Sequence, residues 1–320
     1  MEKLSKEQIK PFNDQFINQV ENGNVKDAAV SAMQYTRTIL REDSFAEKIL
    51  TPIDISNDEL DKAQDPEVVV KWNDREPDVA PAVTVPLSNA PDGFVFKGTR
   101  YPSYFARVLS PRFKKDIDKL RTYDYDIRQI LLEISTKDIA TEIDSRFINK
   151  VLAVIGSVNT ANPLNGLGLP QYIQLPGLTR DNVAEANKVM TRLQVPFGPL
   201  QPDGGESKGV WLMNTTTGQD FLKFGRDEAG GDLSQEMFVN GLPSKTVNGQ
   251  KIIYTIKRNL IPDGQAALFS SEEFLGKYFR IQPLTVFMES KAWWLELFQY
   301  LNVSISIGNI RGCSLVDFNG

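Results

Sequence analysis

The feature that most constrains the fold is a long segment without glycine or proline, which begins near Asp124 and ends at Gly156. Within it, branched and aromatic side chains recur every four residues: Ile139, Ile143, Phe147, Val151 and Ile155. This spacing predicts one α-helix with a continuous apolar face. At about 1.5 Å per residue, about thirty residues form a rod about 45 Å long. Such a rod is unusual inside a compact domain of this size, and it limits the folds that the chain can adopt.

The segments before this helix differ in character. Residues 1–50 carry apolar side chains at helical spacing and predict two helical segments,. Residues 54–78 contain nine acids and three bases, and predict an extended, solvated arm,. Residues 79–109 are rich in β-branched and aromatic side chains and predict a long hairpin,. Its prolines cannot donate a ladder hydrogen bond, which favours an edge or free-standing position.

A basic segment follows the acidic one. Residues 97–121 carry eight bases and two acids. The acidic and basic segments either form two unrelated solvated faces or meet, within one subunit or between neighbouring subunits. The sequence leaves both interpretations open.

The aromatic side chains of the hairpin indicate a candidate contact surface. On a protruding hairpin they would expose more apolar surface than a monomer normally tolerates, which is typical of a partner interface. If the hairpin folds back, the same side chains belong to the core. The candidates for inter-subunit contact are these aromatic residues and two neighbouring arginines: Phe94, Phe96, Arg100, Tyr101, Tyr104, Phe105 and Arg107.

The region after the long helix predicts mixed helices and strands. Residues 159–177 and 196–209 predict loops, and Thr179 predicts the N-cap of a helix from Arg180 to Leu193,. Residues 290–301 predict a short helix that places the Trp293-Trp294 pair in the core. Strands are predicted at 210–213, 238–247, 251–257, 284–289, 303–307 and 315–318,.

Composition excludes several classes of catalytic site. The chain has no histidine, which removes Ser–His–Asp and Cys–His catalysis and nearly every catalytic zinc site. The one cysteine, Cys313, cannot form an internal disulfide and is expected to be buried and inert,. The glycine-rich stretch 165–169 lacks the Lys-Ser/Thr tail of a phosphate loop,. The sequence therefore predicts no catalytic residue, no cofactor and no metal.

Charge and hydropathy limit the environments of the chain. The net charge of −5 does not predict a basic nucleic-acid-binding face over the whole molecule,. The charged start and the lack of a long apolar stretch predict no secretory signal, no membrane span and synthesis in the cytoplasm,.

Short phrases in the second half of the chain follow a distinctive order: Trp211-Leu212-Met213-Asn214, Asn240-Gly241-Leu242-Pro243, Pro262-Asp263-Gly264 and the closing stretch 303–318. With the hairpin and the long helix before them, they resemble the major capsid proteins of tailed double-stranded-DNA bacteriophages, whose fold encapsulins share. The resemblance covers the architecture of residues 80–318, and residues 1–60 match no part that we can place.

The resemblance implies an α+β subunit with the phage major-capsid fold, which has a long E-loop hairpin and a spine helix. Two loops, 196–209 and 225–236, would meet at the axis of a capsomer. The implied division is an N-terminal arm at 1–65, the E-loop at 66–109, a P-domain with the spine helix at 110–156, an A-domain at 157–282 and P-domain return strands at 283–320.

The resemblance also implies a function. The chain would be a non-enzymatic subunit that assembles as pentamers and hexamers into an icosahedral shell, part of a virion assembled in the host cytoplasm. The implied partners are other copies of the chain, a scaffolding protein, a portal and a decoration protein, with double-stranded DNA enclosed but not bound by sequence. Two alternatives are an encapsulin-like compartment and a histidine-free enzyme that depends on carboxylates or a cofactor.

Overall fold

The computed structural model describes residues 40–63, 65, 67–78, 84, 93, 97–120, 127–157, 170–198, 208–224, 246–247, 249–282, 284–291 and 293–320. The helices of these residues are α1 (Ala46–Ile49), α2 (Ile117–Leu120), α3 (Ile127–Ser157), α4 (Arg180–Arg192), α5 (Thr215–Gly218) and α6 (Glu272–Leu275). The first seven strands are β1 (Pro52–Asp54), β2 (Val70–Asp78), β3 (Lys97–Tyr104), β4 (Ala106–Leu109), β5 (Phe113–Asp116), β6 (Tyr172–Gln174) and β7 (Val210–Asn214). The others are β8 (Thr246–Val247), β9 (Gln250–Thr255), β10 (Gln265–Phe269), β11 (Gly276–Arg280), β12 (Thr285–Lys291), β13 (Trp294–Ile307) and β14 (Cys313–Asp317).

The first sheet is built around β13, a strand of 14 residues. Strands β11 and β12 pair with successive parts of one edge of β13, and β4 and β5 pair with successive parts of the other edge. Tyr300 shows this arrangement, because it lies opposite Thr285 on one side and Leu109 on the other. Strand β1 extends the sheet by pairing in parallel with β11.

The second sheet has the order β6-β14-β10-β7-β9-β8. Its central strands are short apolar runs, the pattern of strands that are covered on both faces. On β10, Ala266 and Leu268 pack in one cluster with α4, whereas Ala267 and Phe269 pack in another cluster with α3. The second sheet therefore lies between a short helix and the long one.

Helix α3 joins the two sheets in one core. It has 31 residues, and its buried face carries the apolar residues that the four-residue spacing predicted. Phe147 is fully buried with its ring centroid 5.3 Å from that of Phe269 on the second sheet. Leu301, Val303 and Ile305 of the first sheet belong to the same cluster. The helix is thus the common support of both sheets.

A buried carboxylate on α3 anchors the chain near residue 44. Asp144 accepts hydrogen bonds from Ser44 Oγ at 2.6 Å, from the amide nitrogens of Phe45 and Ala46 at 3.2 and 2.9 Å, and from Lys257 Nζ at 2.5 Å. Burial raises the pKa of the Asp144 carboxyl, and Lys257 and the other donors oppose that rise,. Because four donors point at it, the carboxylate is the form that fits the site.

Strands β2 and β3 form a separate two-stranded antiparallel sheet, the hairpin. The bounds of the hairpin differ from the predicted range 79–109 at both ends. Its first described strand is β2, so residues 70–78 of the predicted solvated arm are paired with β3. At its other end, residues 106–109 leave the hairpin and join the first sheet as β4.

The predicted helix at 290–301 is wrong, because these residues lie in β12, in the turn after it and in the first half of β13. Buried Leu297, Gln299 and Leu301 alternate with the less buried Phe298 and Tyr300, which is the period of a strand,. Over this short stretch, apolar residues are so frequent that they also fit the spacing of a helical face. Trp293 and Trp294 are exposed rather than in the core.

Two other predictions near the ends of elements are corrected. Of the second predicted helix, residues 40–50 are described, and they contain α1 after a stretch at 40–44 without regular structure; residues 1–39 lie outside the described part. Strand β6 occupies residues 172–174 of the predicted loop 159–177. The predicted boundary at 282/283 does not follow the sheets, because β11 lies in the first sheet and β14 in the second.

Several predicted elements are confirmed. Helix α3 matches the long predicted helix, and α4 begins after Thr179, whose hydroxyl accepts a hydrogen bond from the amide of Asn182 at 3.3 Å. Strand β7 is present, and β8 and β9 pair around Gly249, whose φ of 78° suits glycine,. Cys313 is buried, as expected.

Candidate functional site

The hairpin joins the rest of the protein through a small set of contacts at its base. Ser103 Oγ on β3 lies 2.6 Å from Ser306 Oγ on β13, and both side chains are buried. Arg75 Nη2 donates a hydrogen bond of 2.7 Å to the carbonyl oxygen of Gly308. A Cβ atom on Gly308 would lie 2.5 Å from the hydroxyl oxygen of Tyr101, so a larger residue there would displace the Tyr101 ring. Few residues therefore fix the direction in which the hairpin leaves the body.

The acidic and basic segments meet in this hairpin. Arg100 Nε lies 2.6 Å from Asp74 Oδ1, at a position where the two residues are directly paired across the strands. Lys97 lies opposite Asp78, beyond a register shift between Arg75 and Asp78. Both side chains of the Arg100–Asp74 pair are exposed, so the pair contributes at most about 1 kcal/mol,. The contact is within one subunit, which settles part of the question that the sequence left open.

A second exposed surface lies on the face of the first sheet that points away from α3. The guanidinium carbon of Arg107 lies 5.1 Å from the ring centroid of Tyr300, and that of Arg112 lies 5.1 Å from the ring of Phe298. The Phe298 ring also stacks with Phe287 at 4.8 Å and with Tyr300 at 6.5 Å. We call these five residues the arginine–aromatic ladder.

The candidate residues from the sequence fall into two places. Arg100, Tyr101 and Tyr104 lie on β3 of the hairpin, and Tyr104 is 56% exposed. Burial raises the pKa of the half-buried Tyr101 hydroxyl, and the neighbouring charge of Arg75 opposes that rise. Arg107 instead lies on β4 in the first sheet, where its Nε donates to Asn302 Oδ1 at 2.9 Å.

The other candidates are less informative. Phe105 is half-buried between β3 and β4, and its amide donates to the carbonyl of Val69 at 3.0 Å. Phe94 and Phe96 lie outside the described residues. The five described candidates do not lie at one surface, because Arg107 is in the first sheet and Arg100, Tyr101 and Tyr104 are on the hairpin.

Sequence reasoning missed most of the ladder. Phe298 and Tyr300 were not candidates because residues 290–301 were predicted as a helix, and Phe287 lay in the predicted strand 284–289 without being singled out. Arg112 was noted only as one charge of a basic segment. The alternation of apolar and polar residues at 303–307 marks the end of β13 as a strand, but no local signal indicates its pairing with β4 and β12,.

An open cleft of about 690 Å³ separates the hairpin base from α6 and the turn at 308–310. Its polar lining includes Asp74, Arg75, Glu76 and Glu273. Neither a nucleophile paired with a base nor a set of carboxylates around a common point is formed by these residues. The cleft has the composition of a surface groove, and it does not resemble a deep catalytic pocket.

The described ranges offer little else for chemistry. They contain no group of three or more histidine, cysteine or acidic side chains placed to hold a metal ion. Burial raises the pKa of the Cys313 thiol to about 12, so this thiol is a poor nucleophile,. Among the described helices, none has both the length and the apolar composition that a membrane crossing requires.

Comparison with solved structures identifies the architecture. A chain from the capsid structure of the cyanophage P-SCSP1u aligns with a TM-score of 0.61 at 10% sequence identity, over 92% of this chain and 94% of that one. The chain has the phage capsid fold. A chain from the capsid of a native GTA particle aligns with a TM-score of 0.62 at 13% identity, over 94% of this chain and 99% of the other.

The capsid of Ralstonia phage GP4 gives a similar result, with a TM-score of 0.61, 12% identity and coverage of 91% and 95%. The predicted resemblance to phage major capsid proteins is therefore confirmed for the fold, as is the α+β class. No protein-family model matches the sequence, and no curated protein matches it. The likeness is thus carried by three-dimensional structure, with little sequence identity remaining.

Proposed function

We propose that this chain is the major capsid protein of a tailed double-stranded-DNA phage. Copies assemble as pentamers and hexamers into an icosahedral shell that encloses the genome, and the protein resides in the virion. The observation that carries the proposal is the length of the structural match, which spans nearly all of this chain and nearly all of each phage capsid chain. A match confined to one shared domain would support no such conclusion.

The surfaces of the subunit support a role in assembly. A hairpin extends from the body on a narrow base, and its strand β3 exposes Tyr104. The arginine–aromatic ladder and the exposed pair Trp293 and Trp294 lie on the first sheet. Exposed aromatic and arginine side chains are enriched in protein interfaces. We propose that the hairpin, as the E-loop, lies across a neighbouring subunit.

The remaining parts of the proposal follow the division of the chain. The region around α3 and the first sheet forms a rigid plate, with α3 as the spine helix. The loops 196–209 and 225–236 meet at the capsomer axis, although most of their residues lie outside the described part. A scaffolding protein, a portal and a decoration protein are the further partners, and the chain has no catalytic role, no cofactor and no metal.

Electron microscopy of the protein overexpressed alone, and together with a candidate scaffolding protein, tests the proposal. We expect closed shells of uniform size. Shells that package a protein cargo and exclude DNA during phage infection would favour the encapsulin-like alternative. A soluble monomer with an enzymatic activity, and without shells under either condition, would contradict the proposal.

A further inference from the structure

The arginine–aromatic ladder has a positive charge that no acidic side chain balances. Arg107 contacts Asn302 and the Tyr300 ring, and Arg112 contacts the Phe298 ring. Within the described part of the chain, neither guanidinium lies within salt-bridge distance of a carboxylate. A guanidinium stacked on an aromatic ring keeps its N–H edge available for a carboxylate. The ladder is therefore suited to an acidic partner segment.

The same chain carries an acidic segment of matching character. Four carboxylates at residues 58–67 have no cationic partner among the described residues, and all four side chains are exposed: Asp58, Glu59, Asp65 and Glu67. The next acid, Asp61, has a structural role because its Oδ2 accepts the amide of Trp72 at 2.7 Å. We call residues 58–67 the acidic segment.

Both surfaces are held in place, and they do not pair within one subunit. The acidic segment is fixed to the hairpin by the bridge between Asp61 and Val70 and by Lys71 Nζ, which donates to the carbonyl of Glu59 at 2.6 Å. The ladder is fixed on strands β4, β12 and β13. Neither surface has a charged partner among the described residues, so the two opposite charges are available to pair between copies.

We propose that the ladder of one subunit binds the acidic segment of a second copy of this chain. Because the two surfaces differ, the contact is heterologous, and repetition of it generates a ring or lattice. Charge complementarity at such a contact sets the register and speeds encounter. This inference rests on the proposed function, and it names one pair of contacting surfaces in the shell.

Charge exchange tests the pairing. The variant Arg107→Glu/Arg112→Glu reverses the ladder, and the variants Asp58→Lys/Glu59→Lys and Asp65→Lys/Glu67→Lys reverse the two halves of the segment. We expect the ladder variant to raise the critical concentration for assembly by about tenfold or more. The ladder variant is then combined with each segment variant in turn. The combination that reverses the carboxylates in contact with the ladder should restore assembly, because the charges become complementary again.

Matched controls separate charge effects from loss of fold. Arg180→Glu/Arg192→Glu on α4 changes the net charge by the same amount as the ladder variant, and it should not be rescued by either segment variant. Arg107→Gln/Arg112→Gln removes the charge without reversing it and should give an intermediate loss. Thermal unfolding of each subunit identifies variants that do not fold. If the ladder variant does not fold, the assembly of the neutral variant and of the segment variants is used to test the pairing.

The outcomes distinguish this inference from the proposed function. If the wild-type protein forms shells and neither combination recovers assembly, the pairing is wrong while the shell function stands. If the wild-type protein forms only small oligomers, sedimentation of the same variants shows whether the ladder variant loses those oligomers and whether a combination recovers them. Recovery in one combination, without recovery of the α4 control, supports the contact between copies.

Discussion

The interior around α3 differs from the hairpin in how it places the same kinds of side chain, which are buried in the first region and exposed in the second. On α3, Phe147 is fully buried, and the Asp144 carboxylate has four donors. On the hairpin, Tyr104 is 56% exposed, and the carboxylate of Asp74 pairs with Arg100 in solvent. The first region encloses its aromatic ring and its charge inside the subunit, whereas the second presents both to solvent.

Under the proposed function, this difference means that stability and assembly are carried by separate residues. A buried phenylalanine contributes to folding through packing with neighbours of the same chain. An exposed aromatic side chain or stacked arginine adds little to folding, and its apolar area becomes useful only at an interface. Substitutions should therefore separate into two classes, those that act on unfolding and those that act on assembly.

The largest effect is expected in the core. Phe147→Ala should lower the free energy of unfolding by about 4 kcal/mol, because it leaves a cavity against Phe269,. The matched surface change, Tyr104→Ala, should alter the free energy by less than about 0.5 kcal/mol. Urea unfolding of both subunits measures the difference. Equal losses would show that the hairpin belongs to the folding core.

The next effect concerns the anchor of the segment near residue 44. Asp144→Asn should lower the free energy of unfolding by about 3 kcal/mol, because the buried Lys257 loses its nearer carboxylate and keeps Glu42 at 4.0 Å,. The double variant Asp144→Asn/Lys257→Met removes both charges and should lose less than the single variant. Denaturant unfolding of the two single variants and the double variant forms the cycle. A double variant that is the least stable would contradict a paired buried charge.

Substitutions at exposed positions should affect assembly more than folding, unlike those in the core. We predict that Phe96→Ala lowers shell yield more than it lowers the free energy of unfolding, because one Phe buried at an interface contributes about 1.5–3 kcal/mol to binding. Arg107→Glu, on β4 of the first sheet, should also lower shell yield more than stability, with a smaller and salt-dependent effect,. Thermal unfolding and particle yield are compared for each variant. Parallel loss of stability and assembly would place the hairpin in the core of its own subunit.

The smallest effect is chemical. Burial raises the pKa of Cys313 to about 12, so the thiolate is scarce at neutral and mildly alkaline pH,. A thiol reagent at pH 8 should leave the native subunit unmodified and should react once the chain is unfolded in urea. Rapid modification of the native subunit would mean that the second sheet opens readily at β14.

The same contrast explains how much the sequence could predict. The four-residue spacing on α3 and the Thr179 cap are local signals, and both elements are confirmed. Local propensity is also what failed at residues 290–301, where a run of aromatic and leucine side chains belongs to β13. Its strand state depends on pairing with β4, β5, β11 and β12, which lie far apart in the chain,.

The candidate site was predictable only in part for the same reason. The charges of Asp74 and Arg100 and the aromatic character of the hairpin are visible in the sequence, but their register across β2 and β3 is not,. The ladder joins side chains from β4, β12 and β13 with Arg112, and only the folded sheet brings them together. The residues of such a surface do not recur at a regular spacing in the sequence, so the spacing cannot predict it.

A cryo-electron-microscopy map of the assembled particle tests the central claim most directly. The account predicts a closed shell in which the hairpin of each subunit, strands β2 and β3 with the residues between them, lies on a neighbouring copy while α3 remains enclosed in its own subunit. A map in which each hairpin folds onto its own body, or a protein that never forms a closed particle, would contradict it.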